Sequence, residues 1–476
     1  MSVLDNLTSK LNKLTTDVKQ TTHSLIDDAS RVVDRAFDKH ICIGVTGFSG
    51  SGKSTFITSL IHQLRYSNEA GLASFLAARD QRILEVNLLS SQGFDLFDYQ
   101  AGITALSSKP PQWPQPTQSL SSAIVQIVYK RNSAFKRVLG ETSTFNIEIR
   151  DYPGEWLLDL PLIGQNYLNW CFDQTDLTKQ AVRKQLLGDL FQHLHAINPF
   201  DVMDESQIDQ LYQRFKFFLK QSKEQGLTLI QPGRMLLEDK HHQAVPFFPL
   251  LGLHNYDKDA LANANDKSIY KVMSQRYQDY IDVLVKPFNK HFFDDIDRQV
   301  VLIDALKVIS GGKDNFDDMM LAQSRVMDCY KYGSLNALQK LFTTKIERIL
   351  FIASKPDRVL ASQHENLRSL VNDIIIRTCS QKLRNSIRID TESACSIRCT
   401  QEVNDLLRVT NAEGKRGVVD PILIPDHIPT EAEWAALPYW IPEVLQPPEI
   451  DGLVNGARLP SIRMDKVLTF LLGDKF

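Results

Sequence analysis

No stretch of the 476 residues approaches 18 consecutive apolar side chains, so a membrane-spanning helix is not expected. The opening MSVLDNLTSKLNK has no apolar core, so a secretory signal is not expected either. Net charge is equally scarce. Against 57 acidic residues stand 54 basic ones, a formal balance of −3, and no broad cationic footprint for nucleic acid results. The six cysteines, at 42, 171, 329, 379, 395 and 399, include no CxxC pair and no metal-ligand spacing with histidine. Buried thiols in a reducing, cytoplasmic compartment are the expectation. Internal repeats are lacking too. What is present has the size of two or three domains, or of one large core with insertions, and the 43% apolar, 23% charged composition of an ordinary globular chain.

Apolar spacing divides the chain. Residues 1–40 carry Leu4, Leu7, Leu11, Leu14 and Val18 at helical intervals, with six acidic and six basic charges, and form an expected N-terminal helical arm. From Ile41 the character changes to ICIGVT, a short apolar strand, followed by KSTFITSLIHQLRY with one apolar helical face. Ala123–Tyr129 and Thr144–Ile149 read as an antiparallel strand pair. Residues 156–297 are mostly helical, with Asp204 or Ser206 placed to cap one helix and Gly226 to end it. Strand patterns return at 299–306, 348–354 and 386–390, and Ser362 with Glu365 spells a capping box between the last two. Eight of the 20 prolines fall between 421 and 460, so residues 411–476 are expected to wrap the body in extended form and end in a short helix. The expected fold is α/β: a mainly parallel P-loop sheet built from 41–155 and 298–410, with 156–297 as a large helical insertion.

The chemistry concentrates at Gly47-Phe48-Ser49-Gly50-Ser51-Gly52-Lys53-Ser54, which fits G-x-x-x-x-G-K-[ST]. Glycines let the chain fold so tightly that successive amides, Ser49 and Ser51 among them, point inward as an anion cradle. The helix starting at Lys53 and running through Ser54 and Thr55 adds its positive dipole end. Lys53 is expected on the β- and γ-phosphates, and the Ser54 hydroxyl on Mg²⁺. A plain glycine-rich turn is the alternative, but the flanking strand and amphipathic helix argue against it.

A second element, FNIEIRDYPGE, places Asp151 just after a strand and Gly154 three residues on. The carboxylate suits Mg²⁺ held through water, and the Gly154 N–H suits the γ-phosphate. Alone, Asp-Tyr-Pro-Gly is also an ordinary turn. Thr117, six residues before Ala123, is the expected threonine closing over the γ-phosphate and Mg²⁺, with Thr104 the weaker candidate. Trp113 in PPQWPQPT is a candidate cover for the nucleotide, equally readable as a wedged loop or core residue.

The base is addressed by RILFIASKPD, where Ser354-Lys355-Pro356-Asp357 resembles the N/T-K-x-D element of GTP-binding proteins. Asp357 is suited to accept from guanine N1–H and the N2 amine, a donor pair that adenine lacks. Lys355 lies along the base plane in this reading. Ser393-Ala394-Cys395 resembles the S-A-K element, whose backbone N–H meets guanine O6. GTP and GDP are therefore favoured over ATP. Glu155 stands where many GTPases place the residue that orients the attacking water, and no arginine flanks Thr117. Arg234 in QPGR is a candidate cationic finger with a structural loop role as the alternative, so slow turnover is expected.

Taken together, GFSGSGKS, WPQPT, DYPGEW, QPGRMLL, ASKPD and the closing LPSIRMDKVLTFLLGDKF resemble the YcjX-like family of bacterial P-loop proteins over essentially the whole chain. The resemblance implies a GTPase-type α/β domain with a helical insertion, GTP/GDP binding and a role in a bacterial stress response. It also implies association with a membrane-embedded partner, which the N-terminal helix suits, and hence a site peripheral to the inner membrane. An ATPase or kinase-like phosphotransferase, and a nucleotide-stabilised scaffold, are the remaining readings.

Overall fold

The computed structural model describes residues 39–48, 50–90, 94–116, 119–131, 141–236, 245–290, 295–329, 346–437 and 444–476. The N-terminal arm, Ser49 and Thr117 lie outside the described residues. Its centre is β1 (His40–Gly47), buried along its whole length, as an apolar strand with helices on both faces should be. Ile41, Ile43 and Val45 face one core, which they share with Phe56, Ile57, Leu60 and Ile61 of α1 (Lys53–Arg65). Cys42 points into the other, larger core.

Around β1 the sheet runs β2-β4-β5-β1-β6-β7-β8, where β2 is Ile83–Leu89, β4 Ser121–Lys130, β5 Thr142–Asp151, β6 Arg298–Ile303, β7 Arg348–Ser354 and β8 Arg388–Ala394. A two-residue β3 (Asp95–Leu96) pairs beside β4. The five strands β5, β1, β6, β7 and β8 are parallel; β4 pairs antiparallel with β5, and β2 antiparallel with β4. The β4–β5 hairpin partners are those that period-two alternation marks in the sequence. The edge strand β2 is not marked there, because only Ile83 of its seven residues is buried and the apolar alternation is too weak to see.

Between β5 and β6 the described elements are all helical. The longest, α2 (Glu205–Glu224), starts with Asp204 accepting from Gln207 N–H in a capping box, and Gly226 follows its end at φ +86°. By contrast, the box expected at Ser362 does not form. Residues Ala361–Gln363 make a 3₁₀ turn that leads into α3 (His364–Thr378), and Glu365 binds the Arg368 guanidinium instead. A second sheet, β9 (Gln401–Val403), β10 (Leu406–Thr410) and β11 (Arg416–Val419), is a meander. Its first turn is Asn404-Asp405, both at positive φ (+50° and +60°), the two-residue hairpin those side chains favour. That dipeptide was a signal available in the sequence.

After β11, Ile424 N–H donates to Gln363 and Ile428 N–H to Asp373, so the proline-bearing stretch is tied to α3. The chain closes on α4 (Met464–Leu472), whose Val467, Leu468 and Leu471 seal the α1 side of the sheet. Among the described residues no helix is long and apolar enough to cross a membrane.

Candidate nucleotide site

Strand register sets the site. Val45 lies opposite Asp151 on β5, and Gly47 opposite Leu302 on β6, so three parallel strands end together. Ligands of open parallel sheets bind at such carboxyl ends. The loop leaving β1 turns through Gly50 (φ +81°) and Gly52 (φ +95°), a region where only glycine is unstrained, and Ser51 N–H closes it on the Phe48 carbonyl at 3.1 Å. Gly52 is the N-cap residue of α1 and offers no side-chain cap, so the first amides of the helix face the loop uncapped by its own side chain.

Lys53 folds back under the loop, its ammonium 3.4 Å from the Gly47 carbonyl. Burial lowers its pKa from the usual lysine range, while the carboxylates of Asp151 and Glu155 act in the opposite direction. Among the described residues this desolvated cation forms no ion pair within 4 Å, which suits an incoming polyphosphate. Ser54 opens α1, and Asp151 ends β5 almost fully buried. These hard oxygen donors, with Asp151 close enough to act electrostatically on Lys53, fit the preference of Mg²⁺.

Gly154 begins a one-turn helix, Gly154–Leu157, directly against the phosphate loop. A Cβ there would stand 2.2 Å from the Gly47 carbonyl oxygen, so only glycine allows this approach. Next to it, Glu155 accepts from Lys223 at 2.6 Å. Burial raises its pKa, but the Lys223 charge and hydrogen bond, with Lys53 adding, outweigh this and hold the carboxyl below its ordinary value. Lys223 was not foreseen. It lies 68 residues away on the last turn of α2, and nothing local marks it.

QPGR sits behind this turn. Gly233 has its Cα against the Glu155 backbone, where a Cβ would meet the carbonyl at 2.3 Å. The amides of Gly233 and Arg234 donate to the buried Asp159 carboxylate at 2.8 and 3.1 Å, and the Tyr280 hydroxyl adds a third bond at 2.5 Å. Burial pushes the Asp159 carboxyl up to about 6 against the pull of those donors. The Arg234 guanidinium lies 3.5 Å over the Trp156 ring and donates to the Leu284 carbonyl. This contact is the structural loop role given above as the alternative to a finger.

At the base side, Lys355 takes a left-handed conformation (φ +61°) and donates to the Gly50 carbonyl at 2.7 Å and to Asp304 at 2.6 Å. One side chain thus joins the ends of β6 and β7 to the phosphate loop. Asp304, also unforeseen, caps the helix after β6 through Lys307 N–H; Asp after an apolar strand in VLIDAL was its signal. Asp357 is buried. Its Oδ2 accepts from Cys399 N–H (2.9 Å) and from the Cys399 thiol (3.1 Å), and Oδ1 from the Cys395 thiol (3.3 Å). Burial, then the Asp357 charge, pushes both thiols up, so they stay protonated donors. Ser393 and Ala394 end β8 in register with Ala353 and Ser354, which brings the segment after them alongside Asp357. Trp113 donates its indole N–H to the Leu445 carbonyl at 2.6 Å and packs on the α1-side core.

Comparison with known proteins places these features in a family. The sequence profile of the YcjX-like family, DUF463, matches residues 41–476. The chain is similar to the Ras-like GTPase YcjX of Shewanella oneidensis, with 31% identity over 475 residues, covering 95% of this chain and 98% of that protein. It is similar to the Ras-like GTPase YcjX of Escherichia coli K12, with 32% identity over 465 residues, covering 95% and 99%.

Proposed function

The chain belongs to the YcjX-like family, and from that premise we propose that it is a GTP-binding protein with slow, Mg²⁺-dependent GTP hydrolysis, acting as a nucleotide-dependent switch. The observation that carries the reading is the Lys355 clasp on Gly50 and Asp304, which couples a base-selecting loop to a phosphate loop.

In this reading Lys53 and the amides of Gly47–Gly52 hold the phosphates, and Ser54 with Thr117 ligates Mg²⁺. Asp151 supports the metal through water. Mg²⁺ held by these residues would supply positive charge to the triphosphate. Gly154 senses the γ-phosphate, and the helical block that follows it converts its position into a surface change. Asp357 selects guanine: its Oδ1 holds only a weak thiol donor, which a guanine N–H outcompetes. A backbone N–H of the Ser393-Ala394-Cys395 element is assigned to guanine O6, and Lys355 to the base plane. The nearness of Cys399 N–H to Asp357 supports that pairing of the two loops.

Calorimetry on the full chain with GTP, GDP and ATP analogues tests this. Guanine nucleotides are expected to bind at least about ten-fold tighter, the worth of one or two charged hydrogen bonds. Equal affinity for ATP removes the Asp357 assignment and favours an ATPase or kinase-like protein. Tight GTP binding without single-turnover hydrolysis favours a nucleotide-stabilised scaffold. A cytoplasmic role in a bacterial stress response, next to a membrane-associated protein partner held by the N-terminal segment and without nucleic acid, extends the proposal on the family resemblance. Survival of a deletion strain under heat or envelope stress checks it.

A further inference from the structure

The helical block delivers one cation to the hydrolytic end of the site. Lys223 reaches it from the last turn of α2, and its ammonium donates to Glu155 at 2.6 Å. Glu155 directly follows the glycine whose Cα lies against the Gly47 carbonyl, so the ion pair borders the place of the γ-phosphate. Lys223 is close enough to depress the Lys53 pKa, so two ammonium groups feel each other across this end of the pocket. The pair is shielded: the Glu155 side chain is 12% exposed and that of Lys223 32%. Of the other cations near the loop, Arg234 is taken up by Trp156 and Leu284 and Lys355 by Gly50 and Asp304, while the Lys307 ammonium stands at Gly50, 3.5 Å from where a Cβ of that residue would lie.

A carboxylate beside a triphosphate is repelled unless a cation accompanies it, and phosphoryl transfer needs added positive charge on the transferring group. Both needs meet at one residue. We propose that Lys223 is the built-in catalytic cation of this site, parked on Glu155 and drawn to the γ-phosphate when GTP binds. This rests on the GTPase reading above. The γ-phosphate carries more negative charge than the carboxylate, and the four-carbon lysine stem can swing from one to the other. Glu155 is thereby released to hold the attacking water. The water oxygen bonds to Pγ and the bond from Pγ to the β–γ bridging oxygen breaks. Its electron pair stays on GDP, and the water proton leaves with inorganic phosphate. Lys223 neutralises charge throughout and exchanges no atom.

The test uses the full chain and its Lys223→Met and Lys223→Arg variants. Single-turnover GTP hydrolysis, GTP and GDP affinity, and binding of GDP with aluminium fluoride are measured. Lys223→Met is expected to slow hydrolysis at least about ten-fold and to lose the aluminium fluoride complex, since cations acting on this transition state are worth orders of magnitude. Its affinity for GDP should stay within about three-fold, GTP should weaken more than GDP because the cation is lost and Glu155 is left unpaired beside the γ-phosphate, and Lys223→Arg should recover most of the rate. Wild-type hydrolysis by Lys223→Met overturns the inference. So does a loss of rate that merely parallels an equal loss of GTP and GDP affinity and a lower melting temperature, the behaviour of a structural pin. Wild-type protein that fails to bind GTP overturns the GTPase reading itself, an outcome visible before any variant is made.

Discussion

The Gly154 Cα packs so closely on the Gly47 carbonyl that a Cβ on Gly154 would lie 2.2 Å from that oxygen. The end of β1 and the start of the turn after β5 are therefore in direct backbone contact. Gly154→Ala must push them apart by roughly an ångström. A shift of that size at a reacting centre costs on the order of 10²-fold in rate, and overpacking costs about 1–3 kcal/mol of stability. Single-turnover hydrolysis and melting of the variant check this; wild-type turnover would show that the contact is incidental.

Far from the nucleotide, the chain end is pinned by charge. Arg298, fully buried at the start of β6, donates both Nη groups to Asp474 at 2.7 and 2.6 Å and also bonds the Leu471 carbonyl. Removing one partner of a buried pair costs about 3–5 kcal/mol. Asp474 is a third exposed, so Asp474→Ala is expected near the lower end of that span. Denaturant unfolding measures it, and nucleotide affinity should not change.

Asp357 holds the segment after β8 even without nucleotide, through Cys399 N–H and the two thiols. Asp357→Ala leaves the half-buried Cys399 amide without this acceptor, and a loss of about 1–3 kcal/mol is expected in the nucleotide-free protein. Asp357→Asn keeps an acceptor for that amide but presents a donor to guanine N1–H. Its preference should move from guanosine to xanthosine nucleotides, read by competition calorimetry. Unchanged GTP affinity in Asp357→Asn would remove Asp357 from base recognition.

The Asp159 carboxyl, pushed up to about 6 by burial, titrates above the ordinary value of 3.8. The folded state therefore binds a proton more tightly than the unfolded chain. The resulting stability is fully present below pH 3.8 and is lost as pH rises through 6, about 3 kcal/mol at most over some two pKa units. Asp159→Asn lacks this dependence. The advantage of the parent over the variant should shrink between pH 4 and pH 7, measured by unfolding at both; a constant difference would place the Asp159 titration elsewhere.

Much of the architecture was legible because it is local. ICIGVT alternates between two cores, the 123–129 and 144–149 stretches alternate in step, and the glycines of the phosphate loop mark backbone that other residues strain to follow. Where local pattern is faint, reading fails. The edge strand β2 shows one buried residue, and Ser362 and Glu365 have capping spacing, but Ser362 falls in a 3₁₀ turn and Glu365 already lies in α3. Arg234 has the charge of a finger, yet Trp156 claims it, and no rule of spacing could say so.

The sequence by itself determined the phosphate loop, the strand ends that carry Asp151 and Lys355, and membership of a parallel α/β class, because each rests on residues within one turn or strand. Only the tertiary structure decided that Lys355 clasps Gly50 across 305 residues and that Lys223 meets Glu155 across 68. Those contacts depend on how α2 and the strand ends pack together, and an ammonium gives no sign along the chain of which carboxylate it will find.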